Sequence, residues 1–560
     1  MPHAGRALTL VFLLTATALA GCLAGEAPAS LDQAGETVPP IPYKVPEPDL
    51  DLPLLEHAEL IPMPMGDVQI HARIVRPDTD EPVPVIVQFT PYTAPGRGML
   101  IEPMVSAPGG AFVNELVRRG YAFAFADVRG TGDSGGCLDL RGQLDIEDAW
   151  HLTEFLGTQE WSNGKVGFIG ASYPGSEAHI AAIAGNPHLG GVIPVVASTS
   201  FYSYHHKNGV PYVNHLATNT GYTQNAVTPT KNPQYENWVT RQVREPVECD
   251  TTTHLTEQLD QSGTYDAWWA DRNLRPRVHN VTVPVLMAQG LADWNVKPDH
   301  IAEYYNNLKV RKILIAGQWG HQFPNDAPEA YGAWWEYATA FFDETLKGIP
   351  TGLFDEDKAY VQDTEGNWNV YPGEWPPLNA RQVSLNLTAN GLSPTEAPSG
   401  SAEWEARMSE GQGGFTSLVA PDSTSQVVLT LPPLSEAMHV SGVPRLNLTV
   451  ITAAENVHLV AVLEVNTGKG WTRENYGYLN PIYRNGVDKP ERVVPGKPTP
   501  VTIEMYPQED IFPKGAELRL ILRSVDEGRT VAVFDEGPIQ VQFDGERPGQ
   551  LWIPLSPLAN

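Results

Sequence analysis

The chain has 560 residues, 42% of them hydrophobic and 18% charged. That length exceeds one ordinary core, and that composition excludes a disordered chain, so two or three globular domains are expected. Asp and Glu number 66 against 37 Lys and Arg, an acidity that argues against nucleic acid as a partner, because phosphates need cationic contacts.

The first residues have the layout of a targeting signal. Met1–Arg6 carries one Arg, and the apolar run Ala7–Ala20 has the length of a signal core but is too short to span a bilayer as a mature helix. The run ends in Leu19-Ala20-Gly21-Cys22, the pattern of a lipobox, in which the Cys is acylated and becomes the mature N-terminus. Residues 1–21 therefore read as a lipoprotein signal peptide, Cys22 as the lipidation site, and the protein as extracytoplasmic and anchored to the cell membrane. An ordinary cleavage site beside an incidental Cys is the alternative. Residues 22–52, rich in Ala, Pro and Glu, read as a tether. Of three Cys in the chain, Cys137 and Cys249 remain, and outside the cell they are candidates for a disulfide or for two buried thiols.

From Val83 the chain alternates compact apolar runs with helical stretches. Val83–Phe89, Ala122–Ala126, Val166–Ile169, Val192–Val196, Val285–Ala288 and Ile313–Ala316 suit strands buried on both faces of a parallel sheet. Phe112–Arg119 and Asp145–Leu156 read as helices between them, which gives an α/β, doubly wound unit. Residues 201–276 interrupt this rhythm. They are rich in Tyr, His, Asn, Thr and Trp, with helical patches at Asn237–Arg244 and Leu255–Asp260, and read as a helical cap over the carboxyl ends of the strands. The sheet unit thus spans 53–200 and 277–355. From 356 to 560 the pattern is all-β. Val383–Leu387, Ser425–Leu431, Arg445–Thr452, His458–Glu464, Val501–Met505, Glu517–Arg523 and Ile539–Phe543 alternate apolar with polar residues, as in a sandwich.

The chemistry centres on Val166-Gly-Phe-Ile-Gly170-Ala-Ser172-Tyr173-Pro174-Gly175. An apolar strand runs into Gly-Ala-Ser, and a helical stretch follows. A nucleophile elbow needs this order, because a Ser on a sharp strand-to-helix turn tolerates only small neighbours, and the helix N-terminus favours the developing negative charge. The usual Gly-x-Ser-x-Gly is not met, since the second Gly comes one residue late. A Ser hydroxyl also needs a base, normally His, held by a carboxylate. In this fold class the order is Ser, acid, His. Asp293 follows strand Val285–Ala288 and His321 follows strand Ile313–Ala316, so all three lie just past carboxyl ends of predicted strands. One oxyanion donor is expected from the Tyr173 amide. A second is expected from Thr90-Pro91-Tyr92, either a backbone N–H or the Tyr92 hydroxyl.

Seven pieces occur in order: Thr90-Pro-Tyr92, Asp127-Val-Arg-Gly-Thr-Gly-Asp-Ser134-Gly, Trp161-Ser-Asn-Gly-Lys-Val-Gly, Gly170-Ala-Ser-Tyr-Pro-Gly175, Trp269-Ala-Asp-Arg272, Gly290-Leu-Ala-Asp293 and Trp319-Gly-His321. Together they resemble the X-Pro dipeptidyl-peptidase and cocaine-esterase family, which also holds α-amino-acid ester hydrolases and glutaryl acylases. The resemblance covers about residues 55–350, and Gly477-Tyr478 through Arg484 and Phe512-Pro-Lys-Gly515 resemble that family's C-terminal jelly-roll domain. It implies an α/β-hydrolase followed by a jelly roll, with Ser172 as nucleophile, Asp293 as acid, His321 as base, and the Tyr92 phenol and Tyr173 amide as oxyanion donors. In this family the late Gly175 is the normal elbow. Asp127, Arg129 and Gly130 match a structural turn of the family, and Asp271 departs from its pattern, where Glu is expected.

The expected activity is acyl transfer through an acyl-enzyme on a small ester or short peptide, of the dipeptidyl-peptidase type or, alternatively, of the esterase type. A non-catalytic binding lipoprotein is the remote alternative. The cap acids Glu236, Glu245, Glu248, Asp250, Glu257, Asp260 and Asp266 are candidates for an N-terminal ammonium. Its aromatics Phe201, Tyr202, Tyr204, Trp238, Trp268 and Trp269 are candidates for an acyl or aryl pocket. In the sandwich, Trp404 and Trp471 are expected to be exposed. No cofactor and no metal is expected, because the His205-His206 pair lacks a Cys, Asp or Glu frame.

Overall fold

The structure is a computed structural model that describes residues 41–64, 68–92, 111–213, 222, 257, 260–324, 334–378, 380–408 and 424–556. Two bodies of regular structure follow one another, and the first is built on a 10-stranded sheet. Its elements in chain order are β1 (Leu54–Pro62), β2 (Gln69–Pro77), β3 (Val83–Thr90), α1 (Ala111–Val117), β4 (Ala122–Asp127), α2 (Gln143–Gly157), β5 (Ser162–Ala171), α3 (Tyr173–Ala184) and β6 (Leu189–Val195). After the cap region come β9 (Val285–Gly290), α6 (Asp299–Asn307), β10 (Lys312–Gly317), α7 (Trp334–Lys347), β11 (Lys358–Gln362) and β12 (Trp368–Pro372).

The spatial order is β1-β2-β4-β3-β5-β6-β9-β10-β11-β12. The run from β4 to β11 is parallel, with antiparallel strands at both edges. Every residue of β4, β9 and β10 is buried, which is why these segments read as continuous apolar runs. Helices cover both faces. One core holds Val85, Val87 and Phe168 with α2 and α3, and the other holds Ile86, Ile169 and Ile313 with α1 and α7.

The sequence places the start of the sandwich at 356. Instead β11 lies parallel to β10 and β12 pairs antiparallel with β11, so the sheet of the first body runs to Pro372. Between β6 and β9 the described residues of the cap include α4 (Phe201–His205), a hairpin of β7 (His206–Lys207) and β8 (Val210–Pro211), and α5 (Ala267–Asp271). The predicted helix Asn237–Arg244 lies outside the described residues, as does most of Leu255–Asp260.

The second body is a β-sandwich from β13 (Arg381–Thr388) to β25 (Gln550–Ser556), made of a nine-stranded and a four-stranded sheet. Leu385, Leu446, Leu448, Leu520, Ile539 and Ile553 fill the space between them. Trp404 is not exposed as expected. It belongs to this core, and its indole N–H donates to Ser524 Oγ at 2.9 Å. Trp471 is half-buried beneath the Arg519 guanidinium, 4.2 Å from the ring.

The two bodies share an apolar seam of Val210 and Tyr212 from the first with Val460, Val462, Tyr478, Tyr506 and Ile521 from the second, and Trp294 packs against it. A polar latch lies elsewhere on this boundary. The buried Glu509 carboxylate accepts from Tyr371 at 2.6 Å and Trp375 at 3.0 Å on the side of the first body. From the sandwich it meets His439 Nε2 at 2.6 Å and accepts from Ser441 at 2.6 Å.

Candidate active site

Ser172 stands between the end of β5 and the first residue of α3, with φ 66° and ψ −122°. A non-glycine residue in that region carries strain of about 1–3 kcal/mol, held here by the strand on one side and the helix on the other. Ser172 N–H donates to Val195 O at 3.0 Å, and Ser176 N–H donates back to Ser172 O at 3.0 Å. The two glycines of the motif are steric requirements. A Cβ on Gly170 would lie 2.4 Å from Pro174 Cβ, and one on Gly175 would lie 2.7 Å from Val195 O and 2.8 Å from Gly170 O. The late glycine thus lets α3 pack directly on the backbone of β5 and β6.

Asp293 and His321 occupy the loops after β9 and β10. His321 Nδ1 lies 2.8 Å from Asp293 Oδ2. The other carboxylate oxygen accepts from the amides of Asn295 at 2.7 Å and Val296 at 3.0 Å, so the acid is fixed in place. Gln289, wholly buried, closes this loop by donating to Val296 O at 2.8 Å. Leu291 N–H to Gly317 O at 2.7 Å and Ala292 N–H to Trp319 O at 3.1 Å tie the acid loop to the base loop. The side chain of His321 is 24% exposed and that of Asp293 is fully enclosed. Among the described residues no hydrogen bond joins His321 to Ser172. Catalytic hydrogen bonds are often long before substrate binds.

Tyr92, just past the end of β3, places its hydroxyl 3.4 Å from Ser172 Oγ. Burial raises its phenol far above the usual value, with Tyr222 adding to the rise, so it stays protonated and able to donate. Its ring meets Tyr173 edge-on and stacks on Tyr222, each at 6.5 Å. The Tyr173 side chain is itself buried, with the Arg141 guanidinium 4.1 Å from its ring.

The structure therefore brings Tyr92 to Ser172 and Asp293 to His321, each pair at carboxyl ends of strands in the order β3, β5, β6, β9, β10. Asp127, Arg129 and Gly130 build a turn away from these groups. Arg129 donates to both oxygens of Asp148 at 2.6 Å, and a Cβ on Gly130 would lie 2.3 Å from Leu138 N. Asp271 pairs with Arg277 at 3.3 Å. Asp266 caps α5 by accepting from the amides of Trp268 and Trp269. Phe201, Tyr202, Tyr204 and Trp269 are buried in the main core, with Trp268 packed against it.

Cys137 is disulfide-bonded, while Cys249, Cys22 and the cap residues Glu236, Trp238, Glu245, Glu248 and Asp250 lie outside the described residues. Ligand-type atoms of His71, Asp127 and Asp133 come within 4.8 Å of one another. The turn's own groups already serve Asp127 Oδ2, which lies 3.0 Å from His71 Nδ1 and accepts the Asp133 amide at 2.8 Å.

Sequence reasoning missed three groups around the site. Lys297, four residues past Asp293, is fully buried; its ammonium donates to Asn295 O at 3.2 Å and faces the Tyr212 ring at 3.8 Å. Desolvation lowers it to about 7. Arg141 and Glu177 are also buried near the elbow. No motif flagged any of the three, since each is a lone charge whose burial is decided by tertiary packing.

Residues 66–322 match the model of the X-Pro dipeptidyl-peptidase (S15 family), and residues 354–546 match that of the X-Pro dipeptidyl-peptidase C-terminal non-catalytic domain, together most of the chain. A relative from Bacillus anthracis, named "Putative Xaa-Pro dipeptidyl-peptidase", is 24% identical over 503 residues, which are 83% of this chain and 81% of the relative. The crystal structure of a CocE/NonD family hydrolase from Staphylococcus aureus is similar with a TM-score of 0.69 and 17% identity, covering 90% of this chain and 94% of the other. The structure of an α-amino acid ester hydrolase is similar with a TM-score of 0.70 and 20% identity, covering 95% and 100%.

Proposed function

This chain belongs to the X-Pro dipeptidyl-peptidase (S15) family of serine hydrolases, and from that premise we propose that Ser172, His321 and Asp293 are its catalytic triad. The observation that carries the assignment is the strained Ser172, which ends a sheet strand with the Tyr92 hydroxyl 3.4 Å from its Oγ. His321, oriented through Nδ1 by Asp293, accepts the Ser172 proton at Nε2 as Oγ attacks a carbonyl carbon. The tetrahedral oxyanion is held by the Tyr92 phenol and the Tyr173 amide at the N-terminus of α3. His321 then delivers the proton to the leaving amine or alcohol. Water, deprotonated by the same imidazole, cleaves the acyl-enzyme and restores Ser172.

The substrate reading is an Xaa-Pro dipeptide at the N-terminus of a short peptide. Its support is the family match together with relatives of that name aligned over four-fifths of their length. An amino-acid or aryl ester is the second reading, supported by the aromatic cluster of the cap, where Phe201 and Tyr204 stack at 6.2 Å. A panel of Ala-Pro-p-nitroanilide, p-nitrophenyl butyrate and an amino-acid methyl ester separates them. Turnover of the first alone supports the peptidase, and turnover of the esters alone defeats it. Full activity of Ser172→Ala on every substrate would defeat the triad. Attachment to the extracytoplasmic membrane face through Cys22 belongs to the same proposal. Cys22→Ser should move the protein from the detergent to the aqueous phase on detergent partitioning.

A further inference from the structure

Three buried arginines lie beside the nucleophile helix, and the chain gives a carboxylate partner to two of them. Arg129 forks onto Asp148. Arg272 meets Asp139 Oδ1 at 3.2 Å and Asp139 O at 2.8 Å. Among the described residues Arg141 has no such partner. Its Nε and Nη1 are buried without an acceptor there, and its side-chain hydrogen bond runs from Nη2 to the Tyr222 hydroxyl at 3.5 Å. Asp145 Oδ2 accepts the Arg141 backbone amide at 2.6 Å rather than its side chain. Glu177 is within electrostatic reach, yet both its oxygens are without a hydrogen bond. Burial pushes Glu177 strongly, and Asp145 to about 8, towards their neutral forms.

The backbone is shaped to put this charge where it is. Leu140 and Arg141 are consecutive non-glycine residues with positive φ, 57° and 67°. The guanidinium is walled by rings: Tyr173 at 4.1 Å, Phe201 at 5.0 Å, Tyr222 at 5.6 Å and Tyr204 at 5.8 Å. Three of the four walls touch the reaction machinery. Tyr173 follows the nucleophile, and Tyr222 stacks on Tyr92. Tyr204 donates to Asn295 Oδ1 at 2.7 Å, two residues beyond Asp293. A desolvated cation with an unspent planar fork, set between the nucleophile, the oxyanion donor and the acid loop, is matched to an oxygen acceptor that arrives from outside the chain.

We propose that Arg141 is a specificity-determining residue that hydrogen-bonds a substrate oxygen remote from the scissile carbonyl, a carboxylate or a second peptide carbonyl. The inference deepens the serine-hydrolase reading above and rests on it for the location of the pocket. It excludes simple alkyl acyl groups as the preferred substrates, because they leave the fork unspent.

The test is equilibrium binding to the full chain carrying Ser172→Ala, which cannot turn over. Calorimetric titrations compare pentanamide with glutaramic acid, the same chain ended by a carboxylate, and with Ala-Pro-amide, which adds a peptide carbonyl. One of the latter two should bind roughly ten- to hundredfold tighter than pentanamide, the scale of hydrogen bonds to a charged group. Which one does so separates the two sources of the oxygen. Adding Arg141→Met should erase the difference, and Arg141→Lys, which keeps the charge without the fork, should retain part of it. Equal binding of all three ligands, or a preference that survives Arg141→Met, overturns the proposal. If Arg141→Met does not fold, an undiminished preference in Arg141→Lys overturns the requirement for the fork. Turnover of p-nitrophenyl butyrate by the wild type, against its loss in Ser172→Ala, reads the triad separately.

Discussion

Tyr92→Phe removes one oxygen and leaves the ring. That ring is held edge-on by Tyr173 and face-on by Tyr222, and the packing survives the change. In the resting protein the hydroxyl makes a long contact, 3.4 Å, with Ser172 Oγ and also meets Tyr222, so its loss should cost folding stability about 1 kcal/mol. In the transition state the same hydroxyl faces a full negative charge in a water-poor site. A missing oxyanion donor of this kind costs roughly 10²–10³ in kcat, about 2.7–4 kcal/mol of barrier. Because the interaction strengthens only as the oxyanion forms, the loss should fall on kcat and leave KM nearly unchanged. Steady-state kinetics on the best substrate of the panel, with a thermal scan as the folding control, makes the measurement. A kcat within about threefold of the wild type, with Tm unchanged, would remove Tyr92 from the oxyanion hole. An equal rise in KM would make it a substrate-binding group instead.

Asp293→Asn keeps the shape of the acid loop but removes the charge that orients His321, and kcat should fall by roughly 10⁴, the scale of this change in serine proteases, with KM little altered; a loss below tenfold would refute the assignment. Lys297 is lowered to about 7, mainly by desolvation, against an ordinary value of 10.5. Between those values the unfolded chain binds more protons than the folded one, so wild-type stability gains with rising pH across that window. Lys297→Met abolishes this term, and the Tm of the variant relative to wild type should be most favourable below pH 7 and decline towards pH 10. A pH-independent difference contradicts the depressed value. Glu509→Leu leaves the donors of Tyr371, Trp375, His439 and Ser441 without their acceptor, at about 1–3 kcal/mol for each one that stays buried and unpaired. Calorimetry should then show the two bodies melting separately, and a single unshifted transition would refute the latch.

The central strands were legible because burial on both faces writes an unbroken apolar run, as in Ala122–Asp127 and Lys312–Gly317. Edge strands carry no such signature. β1 alternates exposed and half-buried residues, and it went unread. β11 and β12 carry no strand signal that the sequence reading picked up, and the boundary it sets at 356 separates them from the sheet they complete. The elbow was legible because strand, Gly-x-Ser and helix are contiguous in sequence. Trp404 was misjudged because an amphipathic strand does not say which of its faces meets the second sheet. Arg141 was invisible for a different reason: its cage draws on residues 173, 201, 204 and 222, and no local pattern anticipates a meeting that distant.

Trp294 immediately follows Asp293, and two of its neighbours come from the far end of the chain. The Arg529 guanidinium lies 4.5 Å from its ring, and Tyr476 meets it edge-on at 5.3 Å. A domain that gives no side chain to the proposed triad thus forms part of the wall behind Asp293. On that proposal, activity depends on the pair of domains. A hydrolase domain grafted onto a foreign sandwich would keep its elbow and oxyanion hole, and would bring with it an acid loop with one side open to water.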